Sequence, residues 1–158
     1  MSEGKKVEKP CVNVRYVYMF CNDILTIRHF YTDLLGMNEV AYDDKSGWLN
    51  YKCDGFYMMF FKTEKDKIPV EERWAYLPGP GERPGDIDVI SITVLLPEEG
   101  YKDTVKRLLT AGVPLRSKVP EWMQYNYWGF IVKDPMGLTV EVTTVPKEKP
   151  ASTIWVDK

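Results

Sequence analysis

Hydrophobic and polar positions alternate along this chain in an order that occurs twice. Residues 12–20, VNVRYVYMF, are β-branched and aromatic, which is typical of a strand. The segment ILTIRHFYTDLL at 24–35 has apolar residues at helical spacing and ends at Gly36. Three more strand-like runs follow, MNEVAYD, GWLNYKC and FYMMFF, with turn residues between them. The first half is therefore predicted to fold in the order βαβββ.

The second half repeats this order. DVISITVLL at 88–96 predicts a strand, and YKDTVKRLLTA at 101–111 predicts a helix that ends before Gly112. YNYWGFIV and LTVEVTTV then flank a turn at 134–137. Each copy is too short to bury its own sheet face, so the two are predicted to pack together. The predicted domain is 13–146, with modules 13–61 and 88–146, a linker 62–87, and tails 1–12 and 147–158.

Composition narrows the function classes. The chain has 158 residues, of which 44% are hydrophobic and 28% charged, which is ordinary for a globular protein. Its formal net charge is −2 and its basic residues are scattered, so nucleic acid is not an expected partner. The longest apolar run, FYMMFF, is too short to span a bilayer, and the N-terminus has no apolar core. The three cysteines are widely spaced, which favours neither disulfides nor zinc. We expect a cytoplasmic protein without a membrane partner.

Four features resemble a known superfamily. They are the paired βαβββ modules and the motifs FYTDLLGM, LLTAGVPL and DPMGLTVEV, which close the first helix, close the second helix and lie near the end. In this order they resemble the vicinal oxygen chelate superfamily, which includes glyoxalase I, extradiol dioxygenases and bleomycin-resistance proteins. The resemblance implies an α+β fold in which the modules form one cup-shaped mixed sheet with the helices on its convex face. It also implies a ligand site in the cup, often completed by a second subunit, and hence a homodimer.

The resemblance implies four inward positions that bind a metal in some members, usually as His, Glu or Gln. Counting from the helices and turns places Tyr16, Met59, Ser91 and Glu141 there. Only Glu141 is a good ligand for a hard divalent ion. The single histidine, His29, lies in the first helix on the wrong side of the sheet. No metal cofactor is therefore predicted; in the alternative, one divalent metal binds Glu141 together with Tyr16 and Ser91.

Strand alternation predicts what fills the cup instead. The predicted ligand-binding residues are Tyr16, Tyr18, Trp48, Tyr57, Met59, Phe61, Ser91, Trp122, Tyr127 and Glu141. A concave face of rings and a thioether with one carboxylate suits a flat or cationic organic molecule. The alternative is that the rings fill the core and a dimer interface. The carboxylate of Glu141 lies in a β-branched stretch, where a charge needs a partner.

Two functions remain open. The first is metal-independent binding of a small aromatic or cationic molecule, as the resemblance to bleomycin-resistance proteins implies. The second is a metal-dependent lyase, isomerase or dioxygenase similar to glyoxalase I, in which Glu141 is a ligand or general base. No catalytic residue is assigned, and enzyme activity stays open. The linker 62–87 is either a plain connection or a docked lid, and 120–128 is a second candidate lid.

Overall fold

The chain forms the order βαβββ twice. The structure, a computed structural model, describes residues 13–65, 67–75 and 89–157. The first module contains β1 (Tyr16–Cys21), α1 (Ile24–Arg28) with a π-helical continuation (His29–Leu34), β2 (Glu39–Asp43), β3 (Trp48–Lys52) and β4 (Tyr57–Lys62). The second contains β5 (Ser91–Leu95), α2 (Glu98–Ala111), β6 (Glu121–Met123), β7 (Tyr127–Lys133) and β8 (Thr139–Thr144). The predicted α+β class and the repeat are confirmed.

The hydrogen-bonded strands divide into two four-stranded mixed sheets, one in each module. Their orders are β1-β4-β3-β2 and β5-β8-β7-β6. In each sheet the first and last strands of the module are parallel neighbours, and the other pairs are antiparallel. The strands of Tyr16 and Glu141 thus lie in different sheets rather than in one continuous cup. β1 and β5 are edge strands, and edge strands leave backbone groups available for further contacts.

The helices cover one face of each sheet, which leaves the predicted site residues on the other face. Ile24 and Ile27 on α1, and Val105 and Leu108 on α2, are buried in one core that includes residues of both modules. A hydrogen bond of 3.0 Å from Arg107 Nε to the carbonyl of Leu34 joins α2 to the end of the first helix. The helix faces of the two sheets therefore share a core, and the opposite faces do not contribute to it.

A buried polar contact links the first helix to the second sheet. The hydroxyl of Tyr31 donates to Asp134 Oδ2 at 2.9 Å. Asp134 Oδ1 accepts from the backbone amides of Met136 and Leu138 at 2.8 and 2.9 Å, which closes the β7–β8 turn. Burial raises the pKa of the Asp134 carboxyl, and these three donors offset part of that rise.

The linker is docked where the structure describes it. The Asn22 side chain makes two hydrogen bonds of 2.8 Å, to the amide and the carbonyl of Ile68. Further contacts follow along the second module, namely Glu71 N to Met136 O at 2.9 Å, Lys133 Nζ to Glu71 O at 2.8 Å, and Ala75 N to Thr139 Oγ1 at 3.0 Å. These contacts favour the docked alternative for residues 67–75. Residues 76–87 of the predicted linker and the tail 1–12 lie outside the described residues.

The segment 120–128 is not a lid. It forms β6, a tight turn and the start of β7, and Gln124 and Tyr125 in the turn have φ values of 50° and 59°. The C-terminal tail is anchored by Trp155, whose ring lies 5.7 Å from that of Tyr101 and 5.1 Å from that of Trp128. Neither helix in the described part of the chain is long and apolar enough to span a membrane.

Candidate functional site

Aromatic side chains occupy the face of the first sheet that is turned away from the helices. Alternation along the strands and the β1–β4 and β3–β4 registers place nine side chains of β1, β3 and β4 on this face. They are Tyr16, Tyr18 and Phe20 of β1, Trp48, Asn50 and Lys52 of β3, and Tyr57, Met59 and Phe61 of β4. We call this surface the aromatic face. It includes every site residue predicted for the first module.

The rings of the aromatic face contact one another but remain open to solvent. The ring of Tyr16 stacks on Tyr57 at 5.6 Å, and Phe20 lies 6.2 Å from Phe61. Tyr18 is 64% exposed and Phe20 is 62% exposed, although large apolar groups favour burial. Contiguous exposed apolar surface in soluble proteins marks binding sites for ligands or partners.

A pocket of about 430 Å³ borders the aromatic face at the C-terminal half of β1. Its walls come from β1, the docked linker, the segment before β5 and the β7–β8 turn, and include Tyr18, Phe20, Ile68, Ile90, Met136 and Leu138. Volumes of 300 to about 1,000 Å³ are usual for small-molecule sites. The exposed rings thus continue into a concavity between the modules.

Glu141 lies on the corresponding face of the second sheet and is only 5% exposed. The hydroxyl of Tyr127 donates to Glu141 Oε1 at 3.0 Å, and Thr93 Oγ1 donates to Oε2 at 3.4 Å. These hydroxyls partly replace the water that the carboxylate loses on burial. Burial, followed by the neighbouring Glu141 charge, raises the pKa of Tyr127 to about 12, so its phenol keeps the donated proton at neutral pH.

Gly129 makes room for this carboxylate. A Cβ at position 129 would lie 2.9 Å from Glu141 Oε1 and 2.9 Å from Met123 Cγ. Both distances are well below ordinary contact, so any side chain here would displace Glu141 or Met123. The face that carries Glu141, with Thr93, Thr143 and Tyr127 beside it, we call the Glu141 face.

The strand register revises the predicted set of four inward positions. Met59 lies directly opposite Tyr18 in the parallel β1–β4 pair, and Glu141 lies directly opposite Thr93 in the equivalent β5–β8 pair. Tyr16 and Ser91, the positions predicted from the sequence, are each two residues away. Ser91 Oγ donates instead to the carbonyl of Thr139 at 3.1 Å. The residues of the alternative metal site, Glu141 with Tyr16 and Ser91, also lie in two different sheets.

The residues at these positions do not fit a divalent metal. With either register they supply phenols, a thioether and a hydroxyl beside one carboxylate. Hard ions prefer several carboxylate or carbonyl oxygens, and ions such as Zn²⁺ or Ni²⁺ prefer imidazole. In residues 13–65, 67–75 and 89–157, no group of three or more His, Cys, Asp or Glu side chains is arranged to hold a metal ion. His29 is on the helix side, where its Nδ1 lies 2.8 Å from Asp33 Oδ2.

Divalent metals are therefore expected to leave the thermal stability unchanged. A metal at a hundred times its dissociation constant would stabilise the native state by about 2.7 kcal/mol. Thermal melts of chelator-treated protein with added Zn²⁺, Ni²⁺, Mn²⁺ or Fe²⁺ should shift by less than about 2 °C, since a true site would give several degrees. A clear increase that Glu141→Ala abolishes would contradict this expectation.

Trp122 does not lie where the sequence predicted. β6 pairs with β7 so that Trp122 is opposite Trp128, and the two rings are 5.2 Å apart on the helix side. Trp122 therefore packs against the core on the helix side and is not part of the Glu141 face. Sequence reasoning also missed Asn50, although its place two residues from Trp48 on a strand indicates a shared face.

Solved structures share the fold. A glyoxalase/dioxygenase from Nostoc punctiforme has a TM-score of 0.62 at 15% identity, over 90% of this chain and 100% of that chain. For a lactoylglutathione lyase from Agrobacterium tumefaciens the TM-score is 0.52 at 18% identity, with 86% and 96% covered. For a glyoxalase/bleomycin resistance protein/dioxygenase from Alicyclobacillus acidocaldarius it is 0.54 at 11% identity, with 84% and 91% covered.

At the level of sequence, no protein-family model and no curated protein matches the chain. The similarity is therefore one of fold, because identities of 11–18% carry no residue-level correspondence of function. The resemblance derived from the repeated modules is confirmed at that level. The chain has the paired βαβββ fold of the vicinal oxygen chelate superfamily.

Proposed function

We propose that the protein binds a small aromatic or cationic organic molecule without a metal, in the manner of bleomycin-resistance-like members of the superfamily. The observation that carries this proposal is the aromatic face, where rings such as Tyr18 and Phe20 are exposed instead of packed. Stacked and edge-on rings offer flat surfaces to another ring system and negative faces to a cation. The guanidinium of Arg15 already lies 5.2 Å from the ring centre of Tyr16.

A homodimer is part of this proposal. The aromatic face and the Glu141 face belong to different sheets, and exposed apolar residues continue between them from Tyr18 and Phe20 to Ile90 and Leu95. A second copy would cover this surface and bring an aromatic face opposite a Glu141 face. Sedimentation velocity at micromolar concentration tests the dimer, and a single monomer boundary would contradict it.

We propose that Glu141 makes the site selective for positively charged ligands. The two hydroxyls that hold it leave lone pairs on both carboxylate oxygens, since each ionised oxygen accepts about two hydrogen bonds. An amidinium or ammonium group is the complement of such a carboxylate. The alternative function, a glyoxalase-I-like enzyme with Glu141 as metal ligand or base, is not favoured, because the neighbouring side chains supply no second strong ligand.

Matched naphthalene probes test the role of Glu141. Naphthalene-2-carboxamidine is cationic, and the corresponding carboxamide and carboxylate are neutral and anionic at nearly the same shape. We expect the cation to bind about tenfold more tightly than the amide, which corresponds to about 1.4 kcal/mol. Glu141→Gln should remove this preference and leave weak, charge-independent binding, measured by tryptophan fluorescence.

Glu121→Gln is the matched control, because Glu121 is an exposed carboxylate on the same face of the same sheet. It should preserve the ranking of the three probes. Tightest binding by the carboxylate, or an unchanged ranking in Glu141→Gln, would show that Glu141 does not read charge.

A further inference from the structure

Asn50 is the amide side chain of the aromatic face. It lies on β3, an inner strand, opposite Met59 of β4 and Ala41 of β2. Its neighbours in the chain, Leu49 and Tyr51, point into the core. The Asn50 side chain therefore projects toward the face on which the exposed rings lie.

The side-chain oxygen of Asn50 is buried and has no hydrogen-bond partner among the described residues. Nearly all buried polar atoms in folded proteins are hydrogen-bonded, so an exception indicates a functional constraint or an absent partner. The two residues directly opposite Asn50, Met59 and Ala41, have side chains without a donor. The donors of Trp48 and Lys52 on the same strand face do not bond to Oδ1. An apolar residue at position 50 would avoid the unpaired oxygen altogether.

We propose that Asn50 Oδ1 accepts a hydrogen bond from an N–H group of the bound molecule. The inference rests on the proposed function and specifies its ligand class: a flat aromatic cation whose exocyclic amino groups carry hydrogen, as in an amino-substituted heteroaromatic. The rings beside Asn50 bind the plane of such a molecule, and Asn50 binds its edge. Met59 has a flexible, unbranched side chain and can move aside to give access to the oxygen.

This geometry lets the site discriminate between ligands that carry an N–H donor and ligands that do not. A site that hydrogen-bonds a polar group of its ligand rejects analogues without that group, because its own buried polar atom is then left unpaired. Dimethylation of the exocyclic amino groups of an otherwise identical ligand removes those donors while keeping the charge and the flat ring system. Asn50 is thus a specificity-determining residue, and the rings supply affinity that does not depend on the donor.

Two acridine dyes provide the test. Proflavine carries two amino groups, and acridine orange carries dimethylamino groups in their place. Both are flat cations with the same ring N–H, so they differ in their exocyclic donors. The ratio of their dissociation constants, measured by dye fluorescence, should shift about tenfold against proflavine in Asn50→Leu relative to wild type, equivalent to about 1.4 kcal/mol. Asn50→Ala should give the same shift, and Tyr18→Ala should weaken both dyes alike.

The melting temperature of the ligand-free protein gives a second test of the role of Asn50. Because Asn50→Leu removes an unpaired polar atom, its melting temperature should equal or exceed that of wild type. A melting temperature several degrees lower would show that Oδ1 has a structural partner and would overturn the inference. An unchanged dye ratio would also overturn it, while dye binding that Tyr18→Ala weakens would still support the proposed function. Failure of all dyes and naphthalene probes to bind would overturn both.

Discussion

Gly137→Ala is expected to lower the free energy of unfolding by about 3 kcal/mol, combining a left-handed backbone with a steric clash. Gly137 has a φ of +77°, which costs an alanine about 1 to 2 kcal/mol. A Cβ there would also collide with the backbone of Glu71 in the docked linker. The backbone of Glu71 is held by Met136 and Lys133, so it has no simple way to move aside.

The repeated module supplies a matched control for this variant. Gly55 occupies the equivalent turn between β3 and β4, with a φ of +81° and nothing within 4 Å of a built Cβ. Gly55→Ala should therefore cost only the backbone penalty, about 1 kcal/mol. Urea unfolding of both variants separates the two contributions. Equal losses of unfolding free energy in the two variants would mean that the linker does not contact Gly137 closely in solution.

The periodicity of the sequence was sufficient to predict the fold class. Apolar residues recur every second position in segments such as the start of β8 and at helical spacing in 24–35, and these two periods decide which side of each element is buried. The split into two sheets was not predictable in this way. Alternation specifies the faces of a strand, but whether the edge strands β1 and β5 hydrogen-bond to each other depends on how the helices pack between the modules.

The errors within the site have local causes. Trp122 was assigned to the site because aromatic residues in a turn-rich stretch resemble a lid, but a three-residue strand gives too little pattern to fix its face. The turn after it places Gln124 and Tyr125 at positive φ, which no glycine signals. Asn50 was missed because a polar residue between apolar ones normally indicates a solvent-facing position.

The sequence placed Glu141 and Tyr127 on one face, but it did not identify Thr93 as the partner of Glu141 on β5. A carboxylate among β-branched residues indicates a compensated charge, whatever the fold. The identity of the hydroxyl that β5 supplies depends on the β5–β8 register, and the counting that predicted Ser91 instead of Thr93 was uncertain by two residues. Such a shift keeps the face of the strand and changes the contact, so Ser91 and Thr93 lie on one face but only Thr93 is paired with Glu141.

Asp134→Ala is expected to destabilise the protein by about 4 kcal/mol, because it leaves one buried and two partly buried donors without an acceptor. These are the hydroxyl of Tyr31 and the amides of Met136 and Leu138. Asp134→Asn should cost much less at neutral pH. Its amide oxygen can keep both backbone contacts, and its NH₂ group can donate to the hydroxyl oxygen of Tyr31. Urea unfolding at pH 7 measures both losses.

The asparagine variant also tests the direction in which the stability of the protein changes with pH. Burial raises the pKa of Asp134 in the folded state above its ordinary value near 3.8. The native state therefore holds this proton more tightly than the unfolded state, and the resulting stabilisation is complete below that ordinary value and lost as pH rises through the folded-state pKa. Wild type should accordingly lose stability relative to Asp134→Asn between about pH 3.5 and pH 7. A stability difference that stays constant across this range would mean that Tyr31 and the two amides compensate the buried charge fully. Equal losses of unfolding free energy in Asp134→Ala and Asp134→Asn would mean that the contact requires a charged acceptor.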